Sequence, residues 1–539
     1  MKKILNLKYA LLFFVLIVSS AVYLNSLQND FVYDDKALIV ENPLVKDIKY
    51  IPEIFTSDVW RILGQDASSY YRPLMYIIYM ADYHVFGMNP WGFHITNLIF
   101  HAGTAVLVFL IVMLLAGSKQ SYLPAFASAI VFAVHPVHTE AVAWIGGLPE
   151  LSFSFFYLLS FYLYGMAGGT RDFKYVLSII FFFFASLCKE PALTLPLFLF
   201  FYDYSLGKIP SPVISLKTFW YLLKRYFPYL AVAVLYFILR SYALSGYSPL
   251  KNHPELDTYE YFINIFPLFA HYIAKLIMPI NLNVYHVFHP VMSLFKWQSV
   301  IGIIAAIAFL CLVYIAKRRN HAVFTGMLLF AVPLIPALYI PAVGENVFSE
   351  RYLYLSSAGF AILFSVGIKN LCSFRLCGKE NVIAVIILFA ISGLYSLDTV
   401  KRNSVWKDEF TLWTDAVKKS PDGEAPHNNL AIALRKRGMF DKSIEEYHAA
   451  IELRPRDSNA HYNLAVAYQI RGFIDKSIEE YEIALKLKPD DLYIHNNLAV
   501  AYRDMGLKDK AIEHFKAALR LDPDLSSAKE NLRALQAGR

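Results

Sequence analysis

A chain of 539 residues that is 57% hydrophobic, 16% aromatic and only 17% charged cannot hide its Phe and Tyr side chains inside a water-soluble fold. The net charge of +7 does not read as a nucleic-acid footprint, because the basic residues sit in short loops between apolar runs, where they set membrane orientation. The four cysteines, Cys188, Cys311, Cys372 and Cys377, form no CxxC pair, and Cys188 and Cys311 lie in apolar runs, which argues against a disulfide framework and a cysteine zinc site.

In chain order, Lys2, Lys3 and Lys8 precede the apolar segment 9–24. No clear small-residue cleavage site follows and further apolar segments do, so this is expected to be an uncleaved first helix that starts in the cytoplasm. The stretch "NDFVYDDKALIVENPLV" (29–45) then carries the adjacent carboxylates Asp34 and Asp35 where that helix must emerge into water. Further spans are expected near 91–116, 122–138, 148–166, 174–188, 191–206, 226–245, 298–316, 322–341, 352–371 and 382–398. Alternating orientation places Lys119, then Arg171 and Lys174, then Lys208, Lys217, Lys224 and Arg225, then Lys317, Arg318 and Arg319, then Arg375 and Lys379 on the cytoplasmic side. That agreement with the positive-inside rule predicts about eleven crossings. Segment 260–290 would upset the alternation as a crossing and is expected to be interfacial or re-entrant on the outer face. Both the acidic pair and the C-terminus then face away from the cytoplasm.

From Glu424 onward Leu430, Leu464, Leu498 and Leu532 recur at a period of about 34 residues, together with Gly438, Gly472 and Gly506 and with Pro455, Pro489 and Pro523, the tetratricopeptide (TPR) signature. Shifting back one period aligns Trp413, Ala416 and Pro421 with Tyr447, Ala450 and Pro455, a degenerate half-repeat whose first helix would be the end of the last span. The expected divisions are therefore a membrane domain over 1–400, the joining half-repeat 401–423, three TPRs over 424–525 and a capping helix 526–539. Asn429, Asn463, Asn497 and Asn531 share one position in successive repeats, with His427, His461 and His495 two residues before the first three of them. An amide both donates and accepts, so such a ladder suits an extended polypeptide backbone, whereas the histidines read as tolerated surface residues.

The remaining polar residues collect at the outer ends of the spans: Asp34 and Asp35, Arg72, His94, Asn97 and His101, His135, His138 and Glu140, Glu150, Lys189 and Glu190, Arg240, and Glu350 and Arg351. Ionisable groups beside spans are costly, and their convergence at one depth points to a polar site.

The motifs "FVYDD", "YRPL", "FHITNLIFHA", "FAVHPVHTEAVAWIGGLPELSF", "LCKEPA" and "SERYLYLSSAGF", in this order and followed by TPRs, resemble the transmembrane TPR-containing protein O-mannosyltransferases of the GT-C glycosyltransferase superfamily. Two stretches depart from that pattern: Gly147-Leu148-Pro149-Glu150 stands where the family usually has Arg before the Glu, and Asn283 to His286 where many have an Asp-Tyr pair. The resemblance implies an all-α protein, a GT-C-type membrane domain followed by a TPR α-solenoid. It also implies inverting transfer of a sugar, mannose by preference, from a polyprenyl-phosphate carrier in membrane lipid to Ser/Thr hydroxyls of a protein on the non-cytoplasmic face. On that alignment Asp34 is the general base and Asp35 orients the acceptor or holds a contact on the cationic side. Arg351, Lys189 and Arg240 bind the donor phosphate, Glu190 or Glu350 keeps its neighbour placed, and Arg72, His94, His101, His135, His138, Glu140 and Glu150 line the donor and acceptor pocket. The chemistry agrees: a hydroxyl gains from a carboxylate that takes its proton, and a lipid-phosphate leaving group needs positive charge more than a proton. No metal and no other cofactor is expected, and no nucleic-acid partner. A non-catalytic membrane scaffold that assembles an envelope complex through its TPRs is the main alternative.

Overall fold

The computed structural model describes residues 2–59, 70–117, 122–210, 215–244, 256–342, 346–373 and 380–537, and every regular element among them is helical. Lys119, Arg375 and Lys379, orientation signals above, lie outside the described residues. The chain forms two units, one of Met1–Val284 with Phe288–Asp408, the other of Tyr285–Val287 with Glu409–Arg539. The expected joining segment, 401–423, is thus divided between them.

In the first unit each expected apolar segment contains a helix, but not each is one uninterrupted span. By length and composition the described helices able to cross a membrane are Leu7–Gln28, Pro90–Ala116, Leu216–Ala243, Trp297–Arg319 and His321–Leu338, with a sixth if Tyr122–Val134 and Pro136–Ala143, bent by 49°, count as one. About eleven crossings therefore do not follow from helix length alone. Proline accounts for two of the interruptions: Pro136 opens the 3-10 turn at the bend after Tyr122–Val134, and Pro191 stands in the 3-10 turn Glu190–Thr194, which leaves Leu195–Ser205 at only 11 residues. Segment 260–290 is also more regular than expected. Asp257 and Glu260 form a capping box that starts the 20-residue helix Thr258–Ile277, which packs against Trp297–Arg319. A Cβ on Gly302 would lie 2.4 Å from the Phe266 carbonyl carbon, so only glycine permits that approach.

The core is built from Pro90–Ala116, Tyr122–Val134, Leu148–Met166, Phe173–Cys188, Leu195–Ser205, His321–Ala331 and Leu353–Ser373, with buried rings such as Phe132, Tyr157, Phe161, Phe182 and Phe198 between them. By contrast the helices Leu216–Ala243 and Trp297–Arg319 turn Leu230, Val234, Phe237, Ile304, Ile307 and Leu310 outward, surfaces suited to lipid and not to water. At one end of the core the fully buried Asp203 accepts from Tyr164, from Tyr226 at 2.9 Å and from Arg225 Nε at 2.5 Å, tying three helices together.

The second unit is a stack of helix pairs, Glu424–Lys436 with Phe440–Leu453, Ser458–Ile470 with Ile474–Leu487, and Leu492–Asp504 with Lys508–Leu521, closed by Ser526–Ala537. Gly438, Gly472 and Gly506 take φ of 75°, 81° and 77° at the turns within the pairs, which is why glycine recurs there. Ahead of the first pair, Glu409–Lys419 buries Trp413 and Ala416 as the repeats bury Tyr447 and Ala450.

Candidate functional site

The acidic pair sits in a tight turn. Val32 N–H donates to Asp35 Oδ2 at 3.0 Å and Asp35 N–H donates back to the Val32 carbonyl at 3.1 Å, which closes the loop. Tyr33, between them, takes φ of 56°, a left-handed conformation that a bulky residue rarely adopts, and so projects Asp34 from the turn. The two aspartates are consequently unlike: Asp35 is fully buried, whereas Asp34 is partly exposed. Burial pushes the Asp34 carboxyl up to about 6, against the opposing pull of the Arg351 guanidinium. Asp35 thus braces the turn from within, whereas Asp34 is left partly exposed. Trp144 supports the same turn, donating Nε1–H to the Val32 carbonyl at 3.3 Å and stacking on Trp406 with ring centres 5.8 Å apart. A Cβ on Gly146 would meet Asp35 Oδ1 at 2.9 Å, so the glycine lets the loop approach.

Opposite Asp34 the structure brings together charged side chains from five distant parts of the chain, Arg72, Glu140 with Glu150, Lys189 with Glu190, Arg240, and Arg351. Arg351 lies 5.3 Å above the Trp144 ring centre. Its Nη1 donates to Glu140 Oε1 at 2.7 Å, its main-chain N–H to Glu140 Oε2 at 3.0 Å, and Ser349 Oγ to Glu140 Oε1 at 2.8 Å. Its Nε lies 3.2 Å from Glu150 Oε1, the same oxygen that Lys189 Nζ meets at 2.5 Å. Arg72 pairs with Glu190 at 3.3 Å and lies 4.5 Å over the Tyr70 ring. Lys189 lies 4.8 Å and Arg351 5.5 Å from the Tyr352 ring centre. Arg240, in the last turn of Leu216–Ala243, joins Glu190 and Arg72 around Tyr236.

These pairings correct the expectation that Glu190 and Glu350 steady their own neighbours. Lys189 is extended, with φ of −163° and ψ of 143°, and vicinal side chains on extended backbone point apart. Glu190 therefore reaches Arg72, Glu350 accepts Asn283 N–H at 2.6 Å, and the cations beside them are held instead by Glu150 and Glu140.

The histidines serve helix packing and not the charged cluster. His94 Nε2 meets the Asn29 carbonyl at 3.2 Å, His101 bridges Tyr354 at 2.9 Å and the Ala133 carbonyl at 3.0 Å, His135 meets the Leu276 carbonyl at 3.0 Å, and His138 meets Ser357 at 2.6 Å. All are buried. Asn97 likewise donates to the Trp144 carbonyl at 2.8 Å. Tyr33, Trp144, Tyr70, Tyr352 and Ser349 were not legible as site residues; the only signal was that each stands beside a singled-out motif residue or within the quoted motifs. Among the described residues no group of three or more His, Cys, Asp or Glu side chains is placed to hold a metal ion.

In the solenoid Asn429, Asn463, Asn497 and Asn531 are all half-exposed. Asn463 donates to Asn428 at 3.2 Å, Asn497 to the Tyr462 hydroxyl at 2.8 Å, and Asn531 accepts from Arg503 at 2.6 Å. The histidines of the first two repeats are buried staples and not surface residues, while His495 of the third is half-exposed. His427 and His461 each bond a glutamate, Glu446 and Glu480, at 2.6 Å and the carbonyl of Pro421 or Pro455 at 3.0 and 3.1 Å. In the third repeat His514 replaces the glutamate, 2.9 Å from His495.

Family models for the TPR repeat match residues 433–472 and 470–506, and one for the tetratricopeptide repeat matches 493–525. Over the longer chain, the sequence is 28% identical to human protein O-mannosyl-transferase TMTC1 across 502 residues, covering 81% of this chain and 54% of the relative. It is 26% identical to Caenorhabditis elegans protein O-mannosyl-transferase F38B6.6, covering 80% and 61%, and 25% identical to human protein O-mannosyl-transferase TMTC3, covering 82% and 51%. The resemblance stated from the motifs thus extends over about four fifths of the chain, which spans about half the length of these curated relatives.

Proposed function

We propose that this chain is a glycosyltransferase of the protein O-mannosyltransferase kind, which moves a sugar from a polyprenyl-phosphate carrier onto a Ser or Thr hydroxyl of a polypeptide. The observation that carries this reading is the opposition of a partly exposed aspartate, Asp34, to Arg351 within a cluster that also holds Lys189 and Arg72. The names of the relatives support the reaction class.

In this reading Asp34 takes the acceptor proton as the hydroxyl oxygen attacks the anomeric carbon, and the bond from that carbon to the phosphate oxygen breaks on the opposite face. A single displacement inverts the anomeric centre. Arg351 and Lys189, with Arg72 and Arg240 behind them, compensate the charge left on the lipid phosphate, and Asp35 keeps the turn closed so that Asp34 stays aimed. Glu140 positions Arg351 through both its side chain and its main chain. The sugar is mannose by the relatives' names, and no metal takes part. The asparagine ladder of the TPRs holds the extended acceptor, and the chain crosses the membrane several times with the acidic turn and the solenoid on the non-cytoplasmic side.

The test is incubation of the full chain with polyprenyl-phosphate sugars and a Ser/Thr peptide library, read by mass spectrometry. Hexose added to peptide hydroxyls with an inverted anomeric centre is the expected result. Absence of transfer from every lipid donor, with TPR partners still captured, would favour the scaffold.

A further inference from the structure

The cations of the cluster do not share their carboxylates equally. Arg351 has a dedicated partner in Glu140, which it meets at 2.7 Å and 3.0 Å, and Arg72 has one in Glu190 at 3.3 Å. Glu150 differs from both. One of its oxygens, Oε1, receives Lys189 Nζ at 2.5 Å and Arg351 Nε at 3.2 Å, and Arg72 pulls on the same carboxylate from further away. The side chain is only 3% exposed. One buried anionic oxygen facing converging cations is the kind of arrangement that also suits a phosphodiester oxygen.

We propose that Glu150 is a built-in competitor: its carboxylate and the phosphate of the lipid-linked sugar take Lys189 and Arg351 in turn. This rests on the reading of the cluster as a donor-phosphate site. A carboxylate and a phosphate cannot share Lys189 Nζ and Arg351 Nε without bringing like charges together at low dielectric, so donor entry turns Glu150 aside. After transfer the same carboxylate returns to the cations and helps expel the polyprenyl phosphate. Glu140, which also holds the Arg351 main chain, stays in place throughout. Glu150 thereby sets how tightly both donor and spent carrier are held.

The experiment measures Kd for a polyprenyl phosphate on the full chain in lipid nanodiscs, comparing wild type with Glu150→Gln and Glu140→Gln, alongside kcat and KM for transfer. Glu150→Gln is expected to lower Kd about tenfold or more. It should lower kcat and KM together because product leaves slowly, whereas Glu140→Gln raises Kd. An unchanged or raised Kd in Glu150→Gln, with wild type binding normally, overturns the competitor role and leaves the glycosyltransferase reading standing. Absence of binding in both wild type and Glu150→Gln overturns that reading as well. A structure of the wild-type complex with polyprenyl phosphate gives a decision independent of how the variant folds. Lys189 Nζ and Arg351 Nε on phosphate oxygens with Glu150 turned away supports the proposal, and Glu150 still on both cations refutes it.

Discussion

Replacing Asp34 with Asn separates a catalytic carboxylate from a structural one, because the two roles change stability in opposite directions. The carboxyl rises from its ordinary 3.8 to about 6 in the fold, so the ionised folded state carries a cost of about 3 kcal/mol. The folded form binds the proton more tightly than the unfolded form. The cost is therefore absent below about pH 4, grows as pH rises through about 6, and is fully present above that. Asp34→Asn, which cannot ionise, should raise Tm at pH 7 while lowering kcat by about 100- to 10,000-fold, the usual worth of a general base. In the wild type the rate should climb through about pH 6 and level off, since about nine tenths of Asp34 is ionised at pH 7. The assays are mannosyl transfer to a Ser/Thr peptide across pH 5 to 8 and thermal unfolding of both proteins in the same detergent. A lower Tm with a modest loss of rate would show that Asp34 braces the loop, and the base assignment would fall.

Other consequences concern packing and the solenoid. Gly359→Ala should lower stability by about 1–3 kcal/mol, because a Cβ there would stand 2.3 Å from the Gly326 carbonyl oxygen; thermal unfolding checks this. His514→Glu should restore the staple of the first two repeats and raise the opening free energy of Leu492–Leu521 by about 1 kcal/mol, read by hydrogen exchange. In the wild type, acidification from pH 7 to 5 should loosen that repeat and tighten the first. Burial and His495 lower the affinity of His514 for a proton, so its stability contribution is lost as pH falls, whereas the bond to Glu446 raises that of His427. Asn463→Ala with Asn497→Ala should raise KM for peptide by about fivefold per lost hydrogen bond and leave kcat in place, measured by steady-state transfer to a peptide series.

How much of this was legible depends on the range over which each feature is decided. Helices and repeats are local. The alternation of apolar runs with proline, and the recurrence of Leu430, Gly438 and Pro455 at one spacing, follow from neighbours within a turn or a helix pair, so the helical membrane unit and the TPR solenoid could be read from the chain. The sequence also named Asp34, Glu140, Glu150, Lys189, Glu190, Arg72 and Arg351, because charge next to apolar runs is too costly to be idle. It could not say how they pair. Glu150 meets Lys189 and Arg351, 39 and 201 positions away, through helix packing that brings distant segments together. The expectation that adjacent residues support each other failed at Lys189–Glu190 for the reason that extended backbone sends neighbours to opposite sides. The same through-space packing turned Asp35 inward, drew the histidines into helix contacts and set Trp144 against Trp406. Composition and period determined which elements exist and which residues are expensive; the tertiary structure decided who neutralises whom, because a buried charge is satisfied by whichever partner lies within hydrogen-bond reach, wherever it stands along the chain.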